Sequence, residues 1–290
     1  MSDKFESHSI ILPAKNEASA LPELLSRLRK RYPQTELIVV DDGSTDSTAD
    51  IAKAHGARVV RHPYPIGNGA AIKSGARAAT GDILVFMDGD GQHDVDDIRV
   101  LLDKLQTGFD MVVGARNSAS QATLGRNVAN RLYNRLASWV VGHPIPDLTS
   151  GLRAVRADYF REFLHLLPNG FSYPTTITMA FFRAGYAVAY VPITASKRIG
   201  KSHINPLRDG VRFLLIIFKV GTLYSPLKIF FPISMGFFVL GLIRYLYTFL
   251  TAHQFTIMSA LMFITAILVF LIGLVSEQIT YLLFMTRQQR

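Results

Sequence analysis

The 290-residue sequence contains no cysteine at all. A chain without cysteine can form no disulfide, no thiolate zinc site and no thiol nucleophile, so any bound metal must have oxygen or imidazole ligands. Charged residues are also scarce, at 18% of the chain against 49% hydrophobic residues. This composition excludes a largely disordered chain and indicates that part of the protein lies in lipid.

Several catalytic motifs are missing too. No His-Glu-x-x-His, Gly-x-Ser-x-Gly or Gly-x-x-x-x-Gly-Lys-Ser/Thr pattern occurs, which argues against a zinc hydrolase, a serine hydrolase and a P-loop enzyme. Acidic residues are fewer than basic ones, 22 against 31, for a net charge of +9. That balance suits anionic partners such as nucleotides, phospholipid headgroups or nucleic acid without choosing among them.

Long apolar runs are confined to the C-terminal part of the chain. Residues 229–250 contain one charge, Arg244, and residues 257–276 contain none. Each run is long enough to span a bilayer, so residues 229–285 are predicted to form a transmembrane hairpin with spans at about 229–250 and 257–277. A pair of buried core helices is the alternative. Arg244 and Glu277 fall near opposite membrane surfaces and are expected to snorkel, not to pair with each other.

The residues before the hairpin are rich in positive charge. Seven basic residues between Lys197 and Lys228 face one acidic residue, Asp209. Because basic flanks stay on the cytoplasmic side, we expect an integral membrane protein with both ends cytoplasmic, and the polar first residues do not resemble a secretory signal. Residues 201–228 are predicted to be a juxtamembrane segment with an amphipathic interface helix from Asn205 to Tyr224, or else a surface helix of the preceding domain.

Residues 1–200 alternate short β-branched runs with helical stretches, which predicts an α/β domain with a mostly parallel sheet. The predicted strands are Ser9–Leu12, Glu36–Val40, Arg58–Arg61, Ile83–Met87, Met111–Gly114 and Val188–Val191. The predicted helices are Ala18–Arg31, Thr45–His55, Asn68–Ala79, Val95–Gln106, Leu124–Val141 and Pro174–Ala184. Ligands of such sheets bind at the carboxyl ends of the strands, where the polar clusters of this sequence lie.

Three of those clusters can carry chemistry. Carboxylates in Asp41-Asp42-Gly43-Ser44-Thr45-Asp46 can accept hydrogen bonds from a nucleobase or ribose, although a turn and helix cap would explain them as well. Asp88-Gly89-Asp90-Gly91-Gln92-His93 offers the oxygen ligands that suit Mg²⁺ or Mn²⁺, together with substrate phosphates. The glycine-rich Gly67-Asn68-Gly69-Ala70 could approach a nucleotide or only cap a helix.

Together with Pro13-Ala14-x-Asn16-Glu17 and Gly114-Ala115-Arg116, the two aspartate-containing clusters Asp41–Asp46 and Asp88–His93 resemble the family-2 glycosyltransferases of the GT-A fold, a Rossmann-like fold. Within that family the sequence is similar to the dolichyl-phosphate mannose synthase and bactoprenol glucosyltransferase type, over about residues 10–202. The resemblance implies a metal held by Asp88, Asp90 and Gln92. It also implies a nucleotide-sugar site that comprises Pro13, Lys15, Glu17, Val40, Asp41, Asp42, Asp88, Gly89, Asp90, Arg198 and Lys201.

Arginines farther along the chain can present a planar fork to phosphate. Arg116, Arg126 and Arg131, with Ser150 from the segment Asp147–Arg153, form the predicted site for an acceptor phosphate, although solvated helix faces also explain arginines. By resemblance, Lys197-Arg198-Ile199-Gly200-Lys201-Ser202-His203 closes over the diphosphate, and it departs from the family at His203, where lysine is usual. The predicted catalytic residues are Asp90, Arg116, Arg131 and Arg198.

The resemblance implies inverting, metal-dependent transfer of a hexosyl group from a nucleotide sugar to polyprenyl phosphate, undecaprenyl or dolichyl, at the cytoplasmic membrane face. A UDP-sugar is favoured as donor, with GDP-mannose next, and a homo-oligomer is expected. The Gln-x-x-Arg-Trp signature of processive synthases is absent, since the only tryptophan is Trp139. The alternative is a membrane-anchored module that binds a nucleotide sugar or anionic lipid without catalysis. Nucleic acid is not expected as a partner, because the basic excess lies beside the membrane.

Overall fold

The computed structural model describes residues 7–116, 124–170, 173–194 and 225–288, with 215, 218, 221 and 222, and gives the backbone alone for 124–130 and 283–288. The chain divides into two compact units. One comprises Met1–Arg135 and His143–Val211, and the other comprises Leu136–Gly142 and Arg212–Arg290.

The first unit is built on a seven-stranded sheet in the order β3-β2-β1-β4-β6-β5-β7. Its strands are β1 (His8–Ala14), β2 (Glu36–Asp41), β3 (Arg58–Arg61), β4 (Ile83–Phe86), β5 (Met111–Arg116), β6 (Arg153–Arg156) and β7 (Val188–Ile193). Its helices are α1 (Leu21–Arg31), α2 (Thr48–Ala54), α3 (Asn68–Ala78), α4 (Asp97–Leu105), α5 (Leu124–Val141), α6 (Ala157–Glu162) and α7 (Tyr173–Arg183), the last turn of α5 falling in the second unit. The mixed α/β fold agrees with the prediction.

All six predicted strands and all six predicted helices are present, with ends that differ by up to three residues. Strand β6 and helix α6 were not predicted from the sequence. With only Ala154 and Val155 between two arginines, β6 has no recognisable apolar run. It also differs in direction from the other strands, because it pairs antiparallel with both β4 and β5.

Helices cover the sheet on both faces. The core on one side joins α1 and α4 to alternate residues of the strands, including Ile10, Leu12 and Val39. The apolar residues of α1 recur at intervals of three and four, Leu21, Leu24, Leu25 and Leu28, so that one stripe faces the sheet. On the other side α3 packs on β1 and β2, and the ring of Phe86 in β4 contacts those of Phe160 in α6 and Tyr173 in α7.

The direction of β6 determines where the site lies. Parallel strands β1, β2, β4 and β5 present their carboxyl ends at one edge of the sheet. Because β6 runs the other way, the residues that precede it, 147–152, arrive at that same edge. The predicted polar clusters follow strands, whereas residues 147–152 reach the same edge by preceding one.

The second unit contains two long apolar helices, α8 (Pro226–Ala252) and α9 (Ile257–Gln288), each long and apolar enough to cross a membrane. They pack as an antiparallel pair, with Ser234 Oγ donating to the Ala266 carbonyl at 2.8 Å and Phe238 against Phe263. Glu277 accepts a hydrogen bond from the Leu227 backbone N–H at 3.3 Å. Arg244 lies 17 residues beyond Leu227 on the same helix, which is about 25 Å at the α-helical rise, so the predicted separation of Arg244 and Glu277 is confirmed.

Candidate active site at the strand ends

Hydrogen bonds lock together the loops that follow β1 and β2. Asn16, which adopts a left-handed backbone conformation with φ 55°, accepts the Thr45 N–H on its side-chain oxygen at 2.9 Å. In return, Ser44 Oγ accepts the Asn16 N–H at 3.0 Å and Thr48 Oγ1 accepts the Glu17 N–H at 3.0 Å. The first two predicted clusters therefore form one interlocked surface.

Asp42 is buried and fully engaged with the protein. Its two carboxylate oxygens accept the backbone N–H groups of Ile66 and Gly67, both at 2.8 Å, and His62 Nδ1 lies 2.8 Å from Oδ1. Burial opposes ionisation of Asp42, but these hydrogen bonds outweigh it and hold the pKa of the carboxyl below its usual value. In this structure Asp42 organises the loop before α3.

The other residues predicted to hold the nucleotide sugar differ widely in accessibility. Asp41 is completely buried, with Oδ1 accepting the Ser44 N–H at 2.9 Å and Oδ2 lying 3.1 Å from Arg61 Nε. Val40 is buried against α3 and can offer a ligand only its backbone. Lys15 is exposed, while Pro13 and Glu17 are half-buried on the same edge.

Asp88 and Asp90 follow β4 in the centre of the sheet, and both are half-buried. A Cβ atom on the intervening Gly89 would lie 3.0 Å from the Pro13 carbonyl oxygen, so this turn fits closely against the end of β1. On its other side, a Cβ on Gly151 would lie 2.3 Å from Asp88 Oδ2. Only glycine at 151 leaves room for the Asp88 carboxylate.

Three basic side chains act on the Asp88 carboxyl. Burial raises the pKa of the carboxyl, but His93, Arg116 and Arg153 more than offset it, so that the net shift is downward. His93 Nε2 lies 3.8 Å from Asp88 Oδ2, and His93 itself is buried. Asp88 is therefore held in its ionised form, as a carboxylate ligand needs to be.

Arg116 at the end of β5 forms a forked ion pair with Asp147. Its Nε and Nη2 donate to the two Asp147 oxygens at 2.8 and 3.1 Å, and Nη2 also donates to Thr149 Oγ1 at 2.8 Å. Burial lowers the pKa of Arg116, yet Asp147 chiefly, with Asp88 and Asp90, raises it overall. The guanidinium thus links the segment before β6 to the two aspartates after β4.

The residues predicted to bind an acceptor phosphate are only partly described. Arg131 is exposed on α5, and Arg116 keeps Nη1 without a hydrogen-bond partner among the described residues. Ser150 is completely buried, and no described residue hydrogen-bonds its hydroxyl. The side chain of Arg126, and all of Arg198 and Lys201, lie outside the described residues.

The residue types at the end of β4 fit a divalent cation. Asp88 and Asp90 supply two carboxylates, and Gln92 is half-buried beside them, with its backbone N–H donating to Asp90 Oδ1 at 3.2 Å. The described residues contain no group of three or more His, Cys, Asp or Glu arranged around a metal. One or two carboxylates suffice for Mg²⁺ or Mn²⁺ when substrate phosphates and water complete the shell.

The glycines of Gly67-Asn68-Gly69 have a packing role in this structure. A Cβ on Gly67 would lie 2.5 Å from the Asn169 carbonyl oxygen, and one on Gly69 would lie 2.0 Å from that of Pro168. The Gly67 and Gly69 backbones thus approach the segment 168–170 closely. This observation favours the helix-start interpretation of the loop over direct approach to a nucleotide.

Two supporting residues escaped the sequence analysis. His62, the partner of Asp42, comes directly after β3, and the shared edge of neighbouring strand ends could have placed it. The Tyr173 hydroxyl lies 3.5 Å from the carbonyl of Gly151, which is 22 residues away in the sequence. No spacing in the sequence predicts this contact between Tyr173 and Gly151.

Comparisons with known proteins give two family matches. Residues 9–164 match the family described as glycosyl transferase family 2, and residues 225–282 match the GtrB C-terminal hairpin. Among relatives, a dolichyl-phosphate hexose transferase of Haloferax volcanii is 29% identical over 74% of this chain and 94% of its own. An undecaprenyl-phosphate mannosyltransferase of Micrococcus luteus is 31% identical over 67% of this chain and 86% of its own.

Solved structures agree with the fold. Glucosyl-3-phosphoglycerate synthase from Mycobacterium tuberculosis, crystallised with Mn²⁺, UDP and glucosyl-3-phosphoglycerate, superposes with a TM-score of 0.59 at 26% identity. The match covers 73% of this chain and 80% of that one.

Proposed function

Because the chain belongs to glycosyl transferase family 2, we propose that it transfers a hexosyl group from a nucleotide sugar to a polyprenyl phosphate, giving a polyprenyl-phosphate sugar. The observation that carries the proposal is the pair of aspartates after β4, Asp88 and Asp90, flanked by Arg116, in a chain that also carries two apolar helices. Relatives of this chain are named for transfer to dolichyl and undecaprenyl phosphate. A homo-oligomer, which the family resemblance implies, is part of the same proposal.

The proposed reaction is a single displacement with inversion. An oxygen of the acceptor phosphate attacks the anomeric carbon, and the bond from that carbon to the β-phosphate oxygen breaks, leaving its electron pair on the nucleoside diphosphate. Because the acceptor is already an anion at neutral pH, no proton has to be removed and no general base is required. The residues therefore have to orient the two anions and offset their repulsion.

A divalent cation bound by Asp88 and Asp90, with Gln92, would supply positive charge to the departing diphosphate. Arg116 can assist, since its guanidinium is fixed by Asp147 and keeps one nitrogen unengaged by the described residues. Arg198 and Lys201 are proposed as further phosphate contacts, and Arg126, Arg131 and Ser150 as acceptor contacts. A UDP-sugar is the favoured donor, and the UDP-bound structural neighbour supports that choice.

The second unit suits a lipid acceptor. At one end of α8 an open pocket of about 400 Å³ is lined by apolar side chains and one lysine, namely Trp139, Leu227, Lys228, Phe231, Pro232, Phe270 and Leu274. The surface of this pocket is wholly apolar, and the Lys228 ammonium donates to the Val140 carbonyl at 3.0 Å. Apolar walls of this kind match the hydrocarbon part of a lipid. We place both chain ends and the catalytic unit on the cytoplasmic side, following the basic residues before the hairpin.

Replacement of Asp90 tests the proposal. Purified Asp90→Asn protein in detergent, given nucleotide sugar, polyprenyl phosphate and Mn²⁺, is expected to lose about 100-fold or more in turnover. Asp50→Asn, an exposed carboxylate on α2, is the matched control and should retain activity. Full turnover by Asp90→Asn would overturn the metal-dependent mechanism. Nucleotide-sugar binding without any acceptor-dependent diphosphate release in the wild type would favour the non-catalytic binding module.

A further inference from the structure

Arg153, the first residue of β6, has no exposed surface. The sheet register places it between Phe86 of β4 and Val113 of β5, in a row that continues to Tyr190 of β7. In the sequence it ends the segment Asp147–Arg153, which supplies Ser150 to the predicted acceptor site. Every hydrogen bond that the structure describes for its guanidinium is made to a protein group, so its role lies inside the protein.

The Arg153 guanidinium is held by neutral groups. Nη2 donates to the Ser150 carbonyl at 2.6 Å, Nη1 lies 3.4 Å from both the Pro174 carbonyl and Thr178 Oγ1, and the ring of Tyr173 lies 5.4 Å away. Among the described residues no carboxylate forms an ion pair with it. Removing a cation from water is costly, and several fixed partners are needed to offset that cost. They hold the guanidinium in one position beneath Ser150.

Tyr173 supports the next peptide unit. Its hydroxyl lies 3.5 Å from the Gly151 carbonyl, and the residue, which is the first of α7, is buried. Two successive carbonyls are thus contacted by two buried side chains, that of Ser150 by Arg153 and that of Gly151 by Tyr173. The strand ladder fixes the following residue, because Leu152 accepts the Gly114 N–H at 3.0 Å.

The backbone of Ser150 and Gly151 lies directly against the Asp88 carboxylate, since a single carbon added to Gly151 would overlap Asp88 Oδ2. We propose that Arg153 and Tyr173 are positioning residues, which set the Asp88 carboxylate by holding the Ser150–Gly151 backbone against it. The inference rests on the proposed function, in which Asp88 is a metal ligand. Mg²⁺ and Mn²⁺ tolerate little displacement of a ligand oxygen, so a shift of the turn should appear first as weaker metal binding.

Three substitutions each change one contact of the Ser150–Gly151 backbone. Gly151→Ala adds a carbon that overlaps Asp88, and Tyr173→Phe removes the hydroxyl beside the Gly151 carbonyl. Arg153→Lys keeps the positive charge but removes the planar guanidinium that donates to the Ser150 carbonyl. In each, Mn²⁺ bound to the protein with UDP is measured by electron paramagnetic resonance. We expect the Kd for Mn²⁺ to rise about 10-fold to 100-fold in Gly151→Ala and Arg153→Lys, and by a smaller factor in Tyr173→Phe. Turnover should recover as Mn²⁺ is raised to saturation.

Matched controls separate this effect from a general loss of structure. Tyr186→Phe removes a hydroxyl that contacts Glu162, and Gly170→Ala adds a carbon that meets no described atom within 4 Å. Both should bind Mn²⁺ as the wild type does. Because Tyr173→Phe is a minimal change, it keeps the test open should Arg153→Lys fail to fold.

The outcomes distinguish the two proposals. If Asp88→Asn abolishes Mn²⁺ binding while Gly151→Ala and Tyr173→Phe bind as the wild type does, the positioning inference is wrong and the metal site stands. If the wild type and Asp88→Asn bind Mn²⁺ equally, the proposed metal site itself is wrong. If saturating Mn²⁺ fails to restore turnover in a variant that folds, the turn does not act through the metal.

Discussion

At the scale of single residues, Asp42 is a buried carboxylate whose two oxygens each accept a backbone N–H group. Asp42→Asn would turn one of its acceptors into a donor facing a backbone N–H of Ile66 or Gly67. We expect this substitution to lower the free energy of unfolding by about 1–3 kcal/mol at pH 7, as measured by chemical denaturation in detergent. Asp50→Asn, on the exposed face of α2, should change stability little. Equal effects of the two substitutions would contradict this account of Asp42.

The same contact has a defined pH dependence. The pKa of Asp42 is lower in the folded protein than in the unfolded chain, so folding favours the ionised carboxyl. Its stabilisation is complete above the unfolded pKa of about 4 and is lost as the pH falls through the folded pKa. The difference between wild type and Asp42→Asn should therefore shrink on acidification. A difference that stays constant below pH 4 would show that another interaction is responsible.

Residue positions were predictable where local spacing decides them. The place of Asp88 and Asp90 at the edge of the sheet could be predicted because two carboxylates directly after an apolar strand must lie at its carboxyl end. The engagement of Asp42 with residues 62–67, and of Arg153 with Ser150, could not, since these contacts join segments whose approach depends on the packed sheet. An arginine that anchors a carbonyl and an arginine that binds phosphate look alike in a sequence.

At the scale of elements, the start of α3 packs so closely on residues 168–170 that one added carbon atom should destabilise the fold. A Cβ on Gly69, near the start of α3, would lie 2.0 Å from the Pro168 carbonyl oxygen. Gly69→Ala is expected to destabilise the protein by about 1–3 kcal/mol, because the backbones must separate. Gly170→Ala, across the same contact, serves as the control in thermal unfolding. An unchanged transition in Gly69→Ala would contradict this packing.

Helices and strands were easiest to predict from the sequence where they are long and rich in apolar residues. Strands β1, β2 and β4 have continuous buried cores, and α1 has a regular apolar stripe. The four-residue strand β6 is stabilised by its neighbours on both sides, and its own residues Arg153–Arg156 carry little β signal. Its antiparallel direction, which brings Gly151 to Asp88, follows from the tertiary fold alone.

At the scale of the whole molecule, the absence of cysteine makes membrane orientation directly measurable. Single cysteines at Gln254, between α8 and α9, and at Asp50 can be labelled with an impermeant maleimide. The proposed orientation predicts that Gln254→Cys reacts in intact cells and that Asp50→Cys reacts only after the membrane is opened. The reverse pattern would place the catalytic unit outside, and labelling of both sites in intact cells would contradict a spanning hairpin.

The central claim is transfer of a sugar to a polyprenyl phosphate, and a donor panel tests it most directly. The purified protein in detergent would be given polyprenyl phosphate, Mn²⁺ and a series of UDP- and GDP-sugars, while diphosphate release and glycolipid formation are followed together. We predict release that depends on the acceptor from one donor, a UDP-sugar, with one glycolipid formed for each diphosphate released. Donor binding with no acceptor-dependent release from any member of the panel would contradict the account.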